Sequence, residues 1–285
     1  MPALGDLTLT ITLAVLGAAL LHAIWNVMIK GSGDPQFDTA LINMGAGAAA
    51  IPFLFIVAPP APQSWPYLGA SLVVHIGYYI ALVGAYRHGD LSHGYPLMRG
   101  IAPLIVVACS AWVIGEWPRP SVWAGVALVS VGVTSVGWFG LKTSPSHGRA
   151  TTWAIANAAI IAAYTLIDAR GVRLSESPWG YAAWMFVLDA APFALLVWWQ
   201  RGRPFIDYVG ARLLRGLAGG VCSASAYGIA LWAMSQAPVA AVAALRETSV
   251  IFAALLATLV LKESFGRHRV AGACVVAVGV IALRL

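Results

Sequence analysis

Leu97-Met98-Arg99-Gly100-Ile101-Ala102-Pro103 and Ala244-Leu245-Arg246-Glu247-Thr248-Ser249-Val250 are apolar stretches that each carry one arginine. They lie in one ungapped register. In that register Glu116 matches Glu263, Gly125 matches Gly272 and Gly132 matches Gly279. A weaker match joins Ala18-Ala19 through Lys30-Gly31 to Ala158-Ala159 through Arg170-Gly171. Self-similarity at a fixed offset marks two copies of one structural unit. The copies are read as 1–140 and 150–285, joined by a linker at 141–149.

The composition says what surrounds these units. Hydrophobic residues make up 60% of the 285 residues and charged residues only 10%. A soluble globular chain carries about 25% charged residues. Mean hydropathy is +0.81. An ordinary cytoplasmic enzyme, a nucleic-acid binder and a disordered regulator are therefore excluded. Twelve Trp and 29 Gly suit a membrane protein. The net charge of +6 comes mostly from basic residues in short loops, which is membrane topology rather than a polyanion site. Cys109, Cys222 and Cys274 each lie inside an apolar run, as buried small hydrophobes do. Met1 to Thr10 lacks the basic region of a signal peptide, so the first apolar run reads as a retained span.

A helix crossing the hydrocarbon core needs about 20 residues. Ten runs of that length fall near 8–29, 38–57, 66–86, 91–113, 120–139, 151–169, 179–199, 212–234, 238–260 and 268–284. The expected fold is an all-α membrane protein with ten transmembrane helices. Five spans per copy put the second copy upside down relative to the first. Inverted repeats are a feature of secondary transporters, whose solute site lies near the midplane at the repeat interface.

A proline thirteen residues before an acidic loop residue, as in Pro103 to Glu116, followed by a Gly-rich last span, resembles the EamA family. That family belongs to the drug/metabolite transporter superfamily. The likeness covers the whole chain as two EamA-like halves. The second half departs from the pattern, with Val250 in place of the proline and Lys262 where the first half has Gly115. A narrower likeness, in His22-Ala23-Ile24-Trp25-Asn26 followed by Lys30, is to a subgroup associated with phosphonate utilisation. The resemblance implies a central cavity lined by spans 1, 3, 4, 6, 8 and 9. It also implies export of small metabolites more often than uptake.

Ionisable residues at bilayer depth are costly and mark function by default. Arg99 and Arg246 each sit about 12 Å into their spans at 1.5 Å per residue. Approaching the midplane from opposite sides, two guanidiniums can clamp an anionic group. The alternative is that each pairs with an internal carboxylate, for which Glu247 and Asp189 are available. Glu247 reads either as a proton-coupling carboxylate or as the counter-ion of an arginine. Asp189 and Asp168 are further candidates for coupling or ion pairing.

Four stripes of polar-tipped residues accompany the arginines. His22 and Asn26 share one face of span 1, flanked by Trp25. His75, Tyr78 and Tyr79 share a face of span 3; Asn157, Tyr164 and Asp168 share one of span 6; Ser223 and Tyr227 share one of span 8. They line a cavity or bond helix to helix, as membrane bundles also do. The glycines at 125, 132, 272 and 279 and at 216 and 220 let helices approach closely.

No HExxH, GxSxG or phosphate-loop motif occurs, and His and Cys do not cluster as metal ligands. Neither catalysis nor a cofactor is expected. The reading is a multi-pass transporter of the bacterial inner membrane, moving a small anionic or zwitterionic solute. An intramembrane enzyme, a channel and an exporter of cationic drugs are the alternatives. The expected partners are a small-molecule solute and membrane lipid, with no nucleic acid; proton coupling and a monomeric or homodimeric state stay open. Arg119, Arg170, Arg173 and Arg284 are the basic residues on the N-terminal side, fewer than on the other. Charge bias thus places both termini outside, against the family expectation of cytoplasmic termini.

Overall fold

The computed structural model describes residues 6–30, 34–88, 91–138, 147–261 and 267–285. Lys262, Glu263 and most of the linker lie outside them. All regular structure in the described residues is helical. The helices are α1 (Leu9–Lys30), α2 (Pro35–Ala50), α3 (Trp65–His88), α4 (Leu91–Ile114), α5 (Pro120–Trp138) and α6 (His147–Leu174). They continue as α7 (Pro178–Arg201), α8 (Arg203–Ala211), α9 (Leu213–Met234), α10 (Val239–Arg246), α11 (Ser249–Leu261) and α12 (Arg267–Ala282).

Eight spans among the described residues are long and apolar enough to cross a membrane. They are α1, α2 with the 3₁₀ turn after it, α3, α4, α6, α7, α9 and the pair α10–α11. Shorter apolar helices occupy Pro120–Ser135 and Val270–Ala282, within α5 and α12. Local chemistry sets several boundaries. Asp34 caps α2 by accepting from the backbone N–H groups of Gln36 (3.0 Å) and Phe37 (3.2 Å), with Pro35 at the first helical position. Ser177 caps α7 in the same way, accepting from Gly180 N–H at 3.2 Å. Gly115, at φ +74°, reverses the chain after α4.

Two features were not expected from the sequence. α8 is a short amphipathic helix between α7 and α9. Phe205 packs on Phe37 (5.4 Å between centroids), and Tyr208 donates to Asp38 Oδ1 at 2.7 Å. The second is a break in span 9 at Glu247–Thr248, although no proline or glycine stands there. Backbone bonds to the third residue back close it: Glu247 N–H to Ala244 O, Thr248 N–H to Leu245 O and Val250 N–H to Glu247 O. This is a turn of 3₁₀ type, which inside a helix marks a hinge or strain. α4, by contrast, runs unbroken through Pro96 and Pro103.

Burial and the Asp38 carboxylate push the Tyr208 hydroxyl up to about 12. A free tyrosine ionises near 10. The folded state therefore favours the neutral phenol, and its contribution to stability is full below about pH 10 and fades as pH rises toward 12. Tyrosinate absorbance should lose amplitude near pH 12 in Tyr208→Phe relative to the wild type. Equal titrations of the two proteins would refute the contact.

The two repeats meet through backbone-close contacts. A Cβ on Gly132 would lie 2.9 Å from Gly272 O and 2.6 Å from Val276 Cγ2. A Cβ on Gly279 would lie 3.0 Å from Gly125 O and 2.8 Å from Val129 Cγ2. These are the same contacts with the repeats exchanged. The partners run in opposite directions along the two helices, so α5 and α12 are antiparallel. α2 and α9 approach as closely, through Gly45, Gly216 and Gly220. α6 packs on α3 and α4, and α1 packs on α9, α10 and α11.

One end of the bundle is tied together by polar contacts. Loop 56–61 joins the α6–α7 turn through Ala61 N–H to Ser175 O (2.9 Å) and Ser177 Oγ–H to Ala58 O (2.7 Å). Beside it Arg173 pairs with Glu116 and donates to the carbonyls of Met234 (2.9 Å) and Ala237 (3.2 Å). Glu116 Oε2 in turn accepts from Val239 N–H at the start of α10 (3.0 Å).

Candidate functional site

Arg99 projects from the middle of α4, and Arg246 ends α10 at the break. Their relative exposures are 2% and 7%. Glu247, within the break, places Oε2 2.6 Å from Arg99 Nε. The two atoms touch off the straight hydrogen-bond line, so attraction of charges holds the pair. Arg99 Nη2 also donates to Ser249 Oγ at 3.4 Å. Arg246 behaves differently. Its guanidinium carbon lies 4.6 Å from the Tyr227 ring centroid. It is within electrostatic reach of Glu247, yet no carboxylate among the described residues lies within ion-pair distance of it.

The tyrosines gather on one side of these charges. Tyr164 from α6 stands edge-on to Tyr227 of α9 (5.8 Å) and to Tyr78 of α3 (5.7 Å). His75 stacks on Tyr164 at 4.5 Å and 28°. Its Nδ1 faces the Ser71 carbonyl at 2.9 Å, which anchors the ring to its own helix. His22 of α1 lies within electrostatic range of the two arginines. The structure thus brings Arg99, Tyr164, Tyr227, Arg246 and Glu247 to one buried centre, with His75 against its tyrosine wall and the half-buried His22 and Tyr78 beside it.

Other residues singled out in the sequence touch this centre through one of its members at most. Trp25 touches His22 edge-on (5.0 Å) but packs with Ile29 and Ile42. The Asn26 amide donates back to the His22 carbonyl at 2.8 Å. Asp168 is fully buried and accepts from Tyr181 (2.9 Å) and Tyr227 (2.6 Å). Asp189 Oδ2 lies 2.5 Å from the Tyr79 hydroxyl oxygen. Among the described residues neither aspartate lies within ion-pair distance of a basic side chain. Asn157 donates to Met98 Sδ at 3.1 Å.

Sequence reasoning missed Tyr95, Ser249, Asn43 and Tyr181. Tyr95 precedes Arg99 by one helical turn, and the guanidinium lies 6.0 Å from its ring. That i, i+4 spacing was readable. The partners of Asp168 and Asp189 lie on other helices or a loop away, and no spacing rule reaches them.

A helical bundle with eight spans long and apolar enough to cross a membrane, and with buried charges at its centre, has the architecture of a multi-pass membrane protein. The EamA-like transporter family matches residues 9–138 and again 148–285. The chain belongs to that family, and so to the drug/metabolite transporter superfamily. No curated protein matches it. A solved structure, titled only as the crystal structure of a protein, is similar at a TM-score of 0.77 and 20% identity. The likeness covers 97% of this chain and 98% of that one, and it bears on the fold.

Proposed function

We propose that the protein is a secondary transporter that moves a small anionic or zwitterionic metabolite by alternating access. An amino acid, an organic acid or a phosphonate fits the description. Export across a bacterial inner membrane is the preferred direction. α5 and α12 complete ten spans, and their antiparallel pairing supports two inverted five-helix repeats.

The carrying observation is Arg246. Glu247 neutralises Arg99, while Arg246 rests on a tyrosine face with no carboxylate in ion-pair contact among the described residues. The centre therefore holds one guanidinium ready for an incoming anion. A buried charge is costly, and a bidentate carboxylate or phosphonate would offset that cost. Tyr78, Tyr164 and Tyr227 would give the solute an apolar wall with polar tips. Arg99 with Glu247 shapes the site in this reading, and His22 supplies a hydrogen bond.

The test is thermal stabilisation of the purified protein by a panel of amino acids, organic acids, phosphonates and organic cations. A ligand at 100 times its Kd adds about 2.7 kcal/mol. An anionic or zwitterionic compound should raise Tm, and Arg246→Gln should abolish the rise. Stabilisation by cations alone, unchanged in Arg246→Gln, would overturn the reading in favour of a site anchored on Asp168.

A further inference from the structure

Asp38, Asp168, Asp189 and Glu247 are the buried aspartates and glutamates among the described residues. Asp38 has Arg215 at 3.2 Å and Glu247 has Arg99. Asp168 has a tyrosine hydroxyl on each oxygen. Asp189 differs: Oδ2 meets Tyr79, while Oδ1 is buried outside hydrogen-bonding geometry with any described group, with the Asn43 amide facing the carboxylate. A bare oxygen on a buried carboxylate is among the costliest arrangements a membrane interior can hold.

Counting hydrogens resolves it. The Tyr79 hydroxyl has one hydrogen but faces two acceptors, Asp189 Oδ2 at 2.5 Å and Asn43 Oδ1 at 3.2 Å. The Asn43 amide is oriented by its own bond, Nδ2 to the Asp189 backbone carbonyl at 2.9 Å, so its oxygen belongs on the Tyr79 side. If Asp189 is ionised, the hydrogen serves the carboxylate and Asn43 Oδ1 goes without. If Asp189 carries a proton on Oδ2, it donates to Tyr79 Oη, and Tyr79 donates to Asn43 Oδ1. The protonated form completes this chain through Tyr79 to Asn43 Oδ1, and it spares the interior a charged carboxylate that has no basic side chain within ion-pair distance among the described residues.

We propose that Asp189, Tyr79 and Asn43 form a proton-binding site, filled in this conformation and emptied when α3 parts from α2 and α7. The proton leaves Asp189 Oδ2 for a water molecule that enters as the helices separate. α2 and α7 pack closely, whereas α3 packs mainly on α6 and sparsely on both of them. The Tyr79 hydroxyl therefore crosses a lightly packed seam, and movement of α3 breaks both of its bonds at once. The groups facing Asp189 are Asn43 from α2, His75 and Tyr79 from α3 and Asp168 from α6, while Tyr227 of α9 is engaged by Asp168. Ring contacts lead from Tyr79 through His75 (6.3 Å) and Tyr164 to Tyr227, on which Arg246 rests. The site thus senses the solute centre through packed side chains. This inference rests on the alternating-access reading for its release step.

Infrared difference spectra of the full chain in lipid, taken between neutral and strongly alkaline pH, test it without any solute. The wild type should show at neutral pH the carbonyl band of a protonated carboxylic acid, shifted in heavy water and lost in alkali. Asp189→Asn should lack that band. Tyr79→Phe should keep it at higher frequency, because the acceptor of its proton is gone. Absence of the band from the wild type would overturn the proposal, as would a band unchanged in both variants. Should Asp189→Asn fail to fold, the frequency in Tyr79→Phe decides alone. A failed spectrum leaves the Arg246 reading standing, and a failed solute panel leaves the band.

Discussion

Glu247→Gln should destabilise the folded protein by about 3–5 kcal/mol, the cost of removing one partner from a buried ion pair. The substitution preserves shape and removes only charge. Arg99 is 2% exposed and has Glu247 as its one ion-pair partner among the described residues. Left alone, the guanidinium keeps its charge, since arginine is not deprotonated in proteins. No other carboxylate among the described residues lies within ion-pair distance of it. Replacing both partners by apolar residues, Arg99→Met with Glu247→Leu, should recover most of the loss, because the desolvation penalty goes with the charges. The measurement is a double-mutant cycle on unfolding, with coupling well above 1 kcal/mol expected. A Glu247→Gln protein as stable as the wild type would refute the counter-ion role and leave Glu247 to proton coupling.

A single methyl group at Gly45 should be nearly as damaging. In Gly45→Ala the new Cβ would lie 2.0 Å from Gly216 O and 2.5 Å from Gly216 C. Both are backbone atoms, so no side chain can swing aside. Gly220 makes the reverse approach, with its Cβ position 2.2 Å from Ala46 N and Gly45 C. α2 and α9 must separate, and every contact along the seam loosens. Overpacking typically costs about 1–3 kcal/mol, and a clash with backbone belongs at or beyond the top of that range. Gly17→Ala is the control, because nothing lies within 4 Å of its Cβ position. Folded, monodisperse yield and Tm should fall for Gly45→Ala and hold for Gly17→Ala. Equal behaviour would mean that the helices are not in backbone contact.

The sequence carried the helical fold because low charge and span-length apolar runs leave few alternatives. It carried the repeat because Gly125, Gly132, Gly272 and Gly279 sit in one register, and their contacts prove reciprocal. It marked Arg99 and Arg246, since an arginine in an apolar run is visible without coordinates. It could not divide the work between them. Glu247 follows Arg246 in the chain yet pairs with Arg99, a choice fixed by where two helices cross. The break in span 9 was hidden for a similar reason: no helix-breaking residue stands at 247–248, and the turn coincides with the residue drawn to Arg99. Asp189 suggested an ion pair, but its neighbours are a tyrosine and an asparagine from two other helices. α8 was lost because its nine residues mix charge with apolar side chains between two obvious spans.

The close packing of α2 on α9 and of α3 on α6 has a consequence for what a part of this protein could be. Each contact joins a helix of the first repeat to a helix of the second. The repeats are thus units of sequence, whereas the packed bodies are interleaved from both. Expressed alone, residues before the linker would present bare glycine-lined grooves and an unpaired Arg99 to the lipid, with no complementary surface of their own to close them. Supplied as two separate polypeptides, the halves would have to find each other before either could finish folding. A cut in the linker would divide the chain but not the molecule.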